Sequence, residues 1–209
     1  SIVGYTNAGK STLLNHLTDA GVLEEDKLFA TLDPTSRNLK LNSGQEIIIT
    51  DTVGFIKKLP HHLINAFRST LEEAKYADVI LHVVDVSNPH ADEQILVVYE
   101  TLRSLGVNDK PIVTAMNKID KVDDIPIIKD LSADIVVSIS AKKELGFEHL
   151  SDALTEIINK TRKYIEQLIP YTDAGIISRI HKSGTILEED YREVGIFMRA
   201  YVDASIGID

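Results

Sequence analysis

Residues 4 to 11, GYTNAGKS, set two glycines, a lysine and a hydroxyl in the spacing G-x-x-x-x-G-K-[ST]. That spacing suits a polyphosphate. The glycines let backbone N–H groups across Gly4, Tyr5, Thr6, Asn7, Ala8 and Gly9 curl around anionic oxygens, and the helix that follows adds the positive end of its dipole. Lys10 can reach the outer phosphates and the Ser11 hydroxyl, with Thr12 beside it, can ligate Mg²⁺. A chance glycine turn would show the same letters. The apolar stub Ile2 and Val3 in front, and Leu13, Leu14 and Leu17 behind, supply the strand and helix that a phosphate loop needs.

Three further groups stand at the ends of apolar runs. DTVG, residues 51 to 54, closes EIIIT and lies about forty residues after the loop. Parallel open sheets bind ligands at their carboxyl edge, so Asp51 is expected to hold Mg²⁺ through a water. The Gly54 N–H is expected to sense an outer phosphate, with Thr52 and Val53 lining the same turn. The plainer role for Asp51 is a strand-end cap. NKID, residues 117 to 120, follows the run PIVTAM. A carboxylate at Asp120 accepts two hydrogen bonds from the N1–H and 2-amino group of guanine, and adenine has neither donor. A site built on that pairing discriminates by roughly 10⁴ or more, so GTP is expected over ATP. Asn117, Lys118 and Ile119 complete the segment, and the Lys118 stem can cover the base. SAK, residues 140 to 142, adds Ser140, Ala141 and Lys142 and one backbone N–H for the guanine carbonyl; alone it is a weak tripeptide.

These groups need a sheet edge to meet on. Short β-branched runs at 46–50, 79–86, 111–120 and 134–141 alternate with amphipathic stretches, the pattern of an α/β fold with a mostly parallel sheet flanked by helices. Leu13, Leu14 and Leu17 mark one helix; Phe67, Leu71 and Ala74 a second; Ile95, Val98, Leu102 and Leu105 a third that stops near Gly106; and Leu150, Leu154, Ile157 and Ile158 a fourth. A boundary is expected at LIPYTDAG, residues 168 to 175, with Thr172 or Asp173 capping a short helix that ends near Gly184. Two strands, TILEEDYRE and GIFMRAYVD, follow. The expected organisation is residues 1–165 as the nucleotide-binding unit and 168–209 as a small α+β unit.

The totals fit a folded domain with an addition: 209 residues, 44% hydrophobic and 26% charged. No apolar run is long enough to span a bilayer, and the absence of cysteine argues against a disulfide framework, so cytoplasmic placement is the default. A net charge of -10 speaks against generic nucleic-acid binding through a basic face. The chain opens on SIVGYTNAGKS without an initiator Met, which reads as an excerpt of a longer protein.

The order of the motifs resembles the translation-factor-related P-loop GTPases, and within them the Obg/HflX superfamily. GYTNAGKSTLLNHLT, LFATLDPTSR, TDTVGFIKKLPHHLINAFRSTLEEAKYADVILHVVDVSNP and NKID are similar to the HflX-type G domain, and IPYTDAGIISRIHKSGTILEEDYREVG to that family's small C-terminal subdomain. The resemblance implies the P-loop GTPase fold, Mg²⁺-dependent hydrolysis of GTP to GDP, and association with the large ribosomal subunit in ribosome splitting or rescue. It assigns FATLDPT, residues 29 to 35, as a switch segment, with Phe29, Ala30, Thr31, Leu32 and Asp33 near the nucleotide. Thr31 would be the second side-chain ligand of Mg²⁺, Thr35 being the competing choice.

Several residues carry weaker signals. Asn7 stands where potassium-stimulated relatives ligate K⁺, against the plainer role of a local loop bond. His61 and His62 invite a water-positioning role, against polar surface residues at a helix cap. Arg37 is a candidate arginine finger in cis, against a surface role. Glu24, Glu25 and Asp26 read as a solvated loop, and Lys57 and Lys58 are too short a basic cluster for RNA binding. Phe55 replaces the glutamine of many hydrolysing sites and cannot orient a water, so slow intrinsic turnover stimulated by a partner is expected. The alternative function is a guanine-nucleotide-binding module with negligible turnover.

Overall fold

The computed structural model describes residues 1–18, 35–52, 54–55, 73–124, 128–203 and 206. Outside them lie the expected switch residues Phe29, Ala30, Thr31, Leu32 and Asp33, together with Val53, Lys57, Lys58, His61, His62, Phe67, Leu71 and the 24–26 acidic cluster.

Strands β1 (Ile2–Gly4), β2 (Thr35–Lys40), β3 (Glu46–Asp51), β4 (Ile80–Asp85), β5 (Ile112–Asn117) and β6 (Ile135–Ser138) form one sheet in the order β2-β3-β1-β4-β5-β6. All neighbours pair parallel except β2 and β3, which form an antiparallel ladder from Thr35 opposite Asp51 to Lys40 opposite Glu46. The alternation of side chains along a strand divides the core in two. On β4, Leu81 and Val83 face helices α1 (Lys10–Thr18) and α3 (Phe147–Lys160) through Leu13, Leu14, Leu150, Leu154 and Ile157. Ile80 and Val84 face helix α2 (Ala91–Ser104) through Ile95, Val98 and Leu102. Helices on both faces bury the central strands β1, β4 and β5, which is why these read as near-continuous apolar runs.

Strand β2 escaped the reading from apolar runs. Its sequence, TSRNLK, buries only Leu39, because an edge strand has one partner and a solvated outer face. Arg37 is exposed on that edge, and its guanidinium donates to the Ser36 carbonyl at 3.0 Å.

Strands β7 (Lys163–Pro170), β8 (Thr185–Arg192) and β9 (Gly195–Val202) make a second, antiparallel sheet in the order β7-β9-β8, covered by helix α4 (Ala174–Ser183). This sheet starts at Lys163, ahead of the expected start at 168, so β7 runs across the division at 165 and 168. Only Ile165 and Ile169 of KYIEQLIP are buried, and two buried positions four residues apart are too few to mark a strand in the sequence. Their partners are Ile180 of α4 and Ile196, Met198, Ala200 and Val202 of β9. A polar seam joins the two sheets. With the Gln45 amide turned so that its nitrogen donates to Thr185 Oγ1 at 2.9 Å and its oxygen accepts from Arg162 at 2.8 Å, the single Thr185 proton goes to Asn159 Oδ1 at 2.9 Å.

Beneath α2 lies a buried polar network. Asp130 Oδ2 accepts Tyr99 Oη at 2.8 Å and Thr114 Oγ1 at 2.7 Å, and His82 Nδ1 stands 3.5 Å away. The Tyr99 ring meets His82 edge-on at 5.4 Å. Burial opposes ionisation of Asp130, but His82, Thr114 and Tyr99 together outweigh it and bring the carboxyl from 3.8 down to about 2. Burial and the neighbouring Asp130 charge push the Tyr99 hydroxyl well above its ordinary value.

Two outcomes follow from this packing. Because the folded value of Asp130 lies below the unfolded one, its contribution, about 2 kcal/mol, is fully present above pH 4 and is lost as pH falls through 2. Urea unfolding across that window should show a shallower loss for Asp130→Asn than for the parent; parallel curves would remove the network as the cause. Phe55 is 1% exposed and sits in the α2-side core with Val3, Ile80 and Val84. Phe55→Ala should lower the unfolding free energy by about 3–5 kcal/mol, read from denaturant midpoints. A change below about 1 kcal/mol would place the ring outside the core.

Candidate functional site

The carboxyl ends of β1, β3, β4 and β5 bring the motifs to one edge. After β1 the chain passes through a left-handed residue, Asn7 (φ 62), and a second at Gly9 (φ 99), then enters α1 with Leu13 N–H bonded to the Gly9 carbonyl at 2.9 Å. Glycine is required at position 9 by crowding as well as by φ: a Cβ there would stand 2.3 Å from Asn117 Nδ2. Lys10 is 7% exposed and turned back under the loop, its ammonium donating to the Tyr5 carbonyl at 3.3 Å. Burial lowers its pKa, while the nearby Asp51 charge opposes the shift. A buried cation under a ring of backbone donors is an environment that an anion completes.

Asp51, 1% exposed at the end of β3, lies against α1: Ser11 Oγ donates to Asp51 Oδ2 at 2.7 Å. A hydroxyl and a carboxylate in contact are hard oxygen donors of the kind Mg²⁺ takes, and Mg²⁺ needs only one or two protein groups beside substrate oxygens. The donor set fits that ion. Thr52 is buried and its hydroxyl donates to the Ile2 carbonyl at 2.7 Å, so it braces β3 against β1.

Beyond Thr52 the chain stays beside the phosphate loop. Phe55 N–H donates to the Gly4 carbonyl at 3.0 Å, and Thr6 N–H donates to the Phe55 carbonyl at 2.9 Å, a parallel bridge between Tyr5 and Phe55. These two bonds seat Gly54 over the loop so closely that a Cβ on it would come within 2.8 Å of Thr6 and 3.1 Å of Lys10 Nζ. The Phe55 ring, on the far side of this backbone, is consumed by the core.

Asn117 and SAK form the second half. Asn117 is 2% exposed; its Nδ2 donates to the Ala8 carbonyl at 2.8 Å and its Oδ1 accepts from Ala141 N–H at 2.9 Å. Asp120 is exposed, and Ser140 Oγ donates to its Oδ1 at 2.6 Å, which lowers the Asp120 pKa and aims the carboxylate. Ile119 N–H is tied to the Ile139 carbonyl at 3.3 Å, and Lys142 is exposed beside the buried Ser140 and Ala141. Lys118, left-handed at φ 69, reaches the Asn7 carbonyl at 2.6 Å. At Asn7 it is this backbone carbonyl that bonds, and the residue itself is exposed.

The structure thus brings together Gly4 to Thr12, Asp51, Thr52, Gly54 and Asn117 to Asp120 with Ser140 to Lys142. Thr35, the competing choice to Thr31, opens β2 opposite Asp51, and the structure adds Asp85, whose Oδ2 takes the Lys118 ammonium at 2.7 Å. Asp85 has a signal in the sequence, a carboxylate ending the run VILHVVD at the same sheet edge as Asp51 and Asn117.

A family model described as a 50S ribosome-binding GTPase matches residues 1–118. A GTPase HflX of Lacrimispora saccharolytica is 60% identical over 206 residues, covering 99% of this chain and 49% of that protein. A GTPase HflX of Caldanaerobacter subterraneus subsp. tengcongensis is 49% identical over 206 residues, covering 99% and 47%. The chain therefore spans about half the length of the curated relatives it matches. Among solved structures, a GTP-binding protein from the hyperthermophilic archaeon Sulfolobus solfataricus, in complex with GDP, is similar with a TM-score of 0.61 and 32% identity, over 76% of this chain and 51% of that one. The fold is that of the P-loop GTPases, and the chain belongs to the 50S ribosome-binding GTPase family, with its likeness among the HflX GTPases.

Proposed function

We propose that this chain binds GTP and hydrolyses it to GDP and phosphate, as the switch part of a protein that associates with the large ribosomal subunit in splitting or rescuing ribosomes. The observation that supports it is the meeting of phosphate loop, Asp51 and Asn117 at one sheet edge, joined by the Ser11–Asp51 and Asn117–Ala8 contacts of 2.7 and 2.8 Å. The loop's N–H groups and the buried Lys10 hold the phosphates and stabilise the charge that develops during in-line attack by water. Ser11 and Asp51 are the described residues that would hold Mg²⁺, with Thr31, outside the described residues, as the further ligand. When bound, that ion neutralises charge on the phosphate oxygens. Gly54, seated above Lys10 by the Phe55 backbone, presents its N–H to the outer phosphate. Asp120, aimed by Ser140, reads the guanine edge.

A second reading, a guanine-nucleotide-binding module with negligible turnover, draws support from Phe55. Its ring fills the core, so the side chain at this position has no part in aligning water, and the aligning group has to come from elsewhere in the protein or from a partner.

Two experiments separate these readings. Single-turnover GTP hydrolysis by this chain should be slow alone and rise at least tenfold, about 1.4 kcal/mol in barrier, with large ribosomal subunits. No cleavage in either condition leaves the module, and fast cleavage without subunits contradicts the missing water-aligning group. Asp120→Asn should weaken GTP by about a hundredfold or more and improve xanthosine triphosphate, whose C2 oxygen accepts from the new amide. Competition binding with both nucleotides reads the exchange, and an unchanged GTP affinity removes Asp120 as the base reader.

A further inference from the structure

Lys118 is held by more than the phosphate loop. Its ammonium lies 2.6 Å from the Asn7 carbonyl and 2.7 Å from Asp85 Oδ2, with side chains only 21% and 15% exposed for Lys118 and Asp85. The other Asp85 oxygen is occupied as well: Oδ1 accepts Ser87 N–H at 3.0 Å and Ser87 Oγ at 2.6 Å. The carboxylate is thus a fixed bracket, one oxygen closing the turn after β4 and the other facing the neighbouring strand end. Asp85 and Asn117 are paired across β4 and β5, and Val86 N–H donates to the Asn117 carbonyl at 3.0 Å, so bracket and lysine belong to one rigid edge.

We propose that Asp85 is a positioning residue for the guanine-nucleotide site: it locks the Lys118 ammonium against the Asn7 carbonyl and so couples the base-reading segment to the phosphate loop. The inference rests on the guanine-nucleotide reading above. A free lysine loses side-chain entropy when it is immobilised. Asp85 imposes that order before the nucleotide arrives, holding the ammonium where it also meets the phosphate loop. The bond also supports the loop's conformation, because Asn7 and Lys118 are both left-handed, at φ 62 and 69, and the ammonium joins them. Only a carboxylate serves both ends. An asparagine at position 85 has one acceptor; if that oxygen keeps the Ser87 turn, its NH₂ meets the ammonium, donor against donor.

The test is a binding cycle with a fluorescent GDP analogue on the 209-residue chain. Asp85→Asn should raise Kd about 10- to 100-fold, the range of a lost charge-assisted bond. Lys118→Met should raise it at least as much, and Asp85→Asn placed on Lys118→Met should add less than about threefold, since the two act through one contact. A role in folding alone predicts otherwise: melting temperature of the nucleotide-free chain would fall and the two Kd effects would multiply. A parent that binds and an Asp85→Asn chain with the parent's Kd overturn the inference alone. A parent that does not bind the analogue overturns the guanine-nucleotide reading and the inference with it. Should Asp85→Asn fail to fold, Ser87→Ala carries the test, with a smaller rise of about threefold that vanishes on Lys118→Met; its persistence there overturns the coupling.

Discussion

One buried amide holds the site together. The Asn117 side chain spans from the Ala8 carbonyl to the Ala141 N–H, so a single planar group sets the separation between the phosphate loop and the turn carrying Ser140. At 2% exposure it has no water to fall back on, and an unmade bond there would cost the desolvation of a buried polar group. The constraint passes outward in both directions. Gly9 can carry no side chain because Asn117 fills the space, and Ser140, seated by the same turn, fixes Asp120.

The phosphate half is organised by charge. Lys10 and Asp51 are both withdrawn from solvent, and each lies within the other's field. The Ser11 hydroxyl bridges helix α1 to the end of β3, so the elements that carry the cation, the hydroxyl and the carboxylate move as one piece. The chain then continues along the loop through the Tyr5–Phe55 bridge, which turns Phe55 from a substitute for a water-aligning residue into an anchor. Its backbone positions Gly54 and its ring belongs to the core beneath α2.

Legibility followed locality. The phosphate loop, DTVG, NKID and SAK are contiguous, and each demands particular residue types over a few positions, so their places at strand ends could be read from apolar runs beside them. Edge strand β2 could not, since TSRNLK buries one residue, nor could β7, which buries only two isoleucines. The Asp130 network was equally hidden. His82, Tyr99, Thr114 and Asp130 come from four separate segments, and nothing in any one of them marks a polar cluster.

What the sequence by itself determined is the set of chemical groups and the strand ends that bear them: a loop with glycines at positions 4 and 9, a carboxylate closing β3, and a carboxylate after β5. What only the tertiary structure decided is which groups touch. Lys118 finds Asp85 across 33 residues and Asn117 finds Ala8 across 109, contacts made by parallel pairing of β4 with β5 and of β1 with β4. Period and spacing act over one turn of helix or one strand, whereas these bonds depend on strand order, which follows from how the helices bury both faces of the sheet.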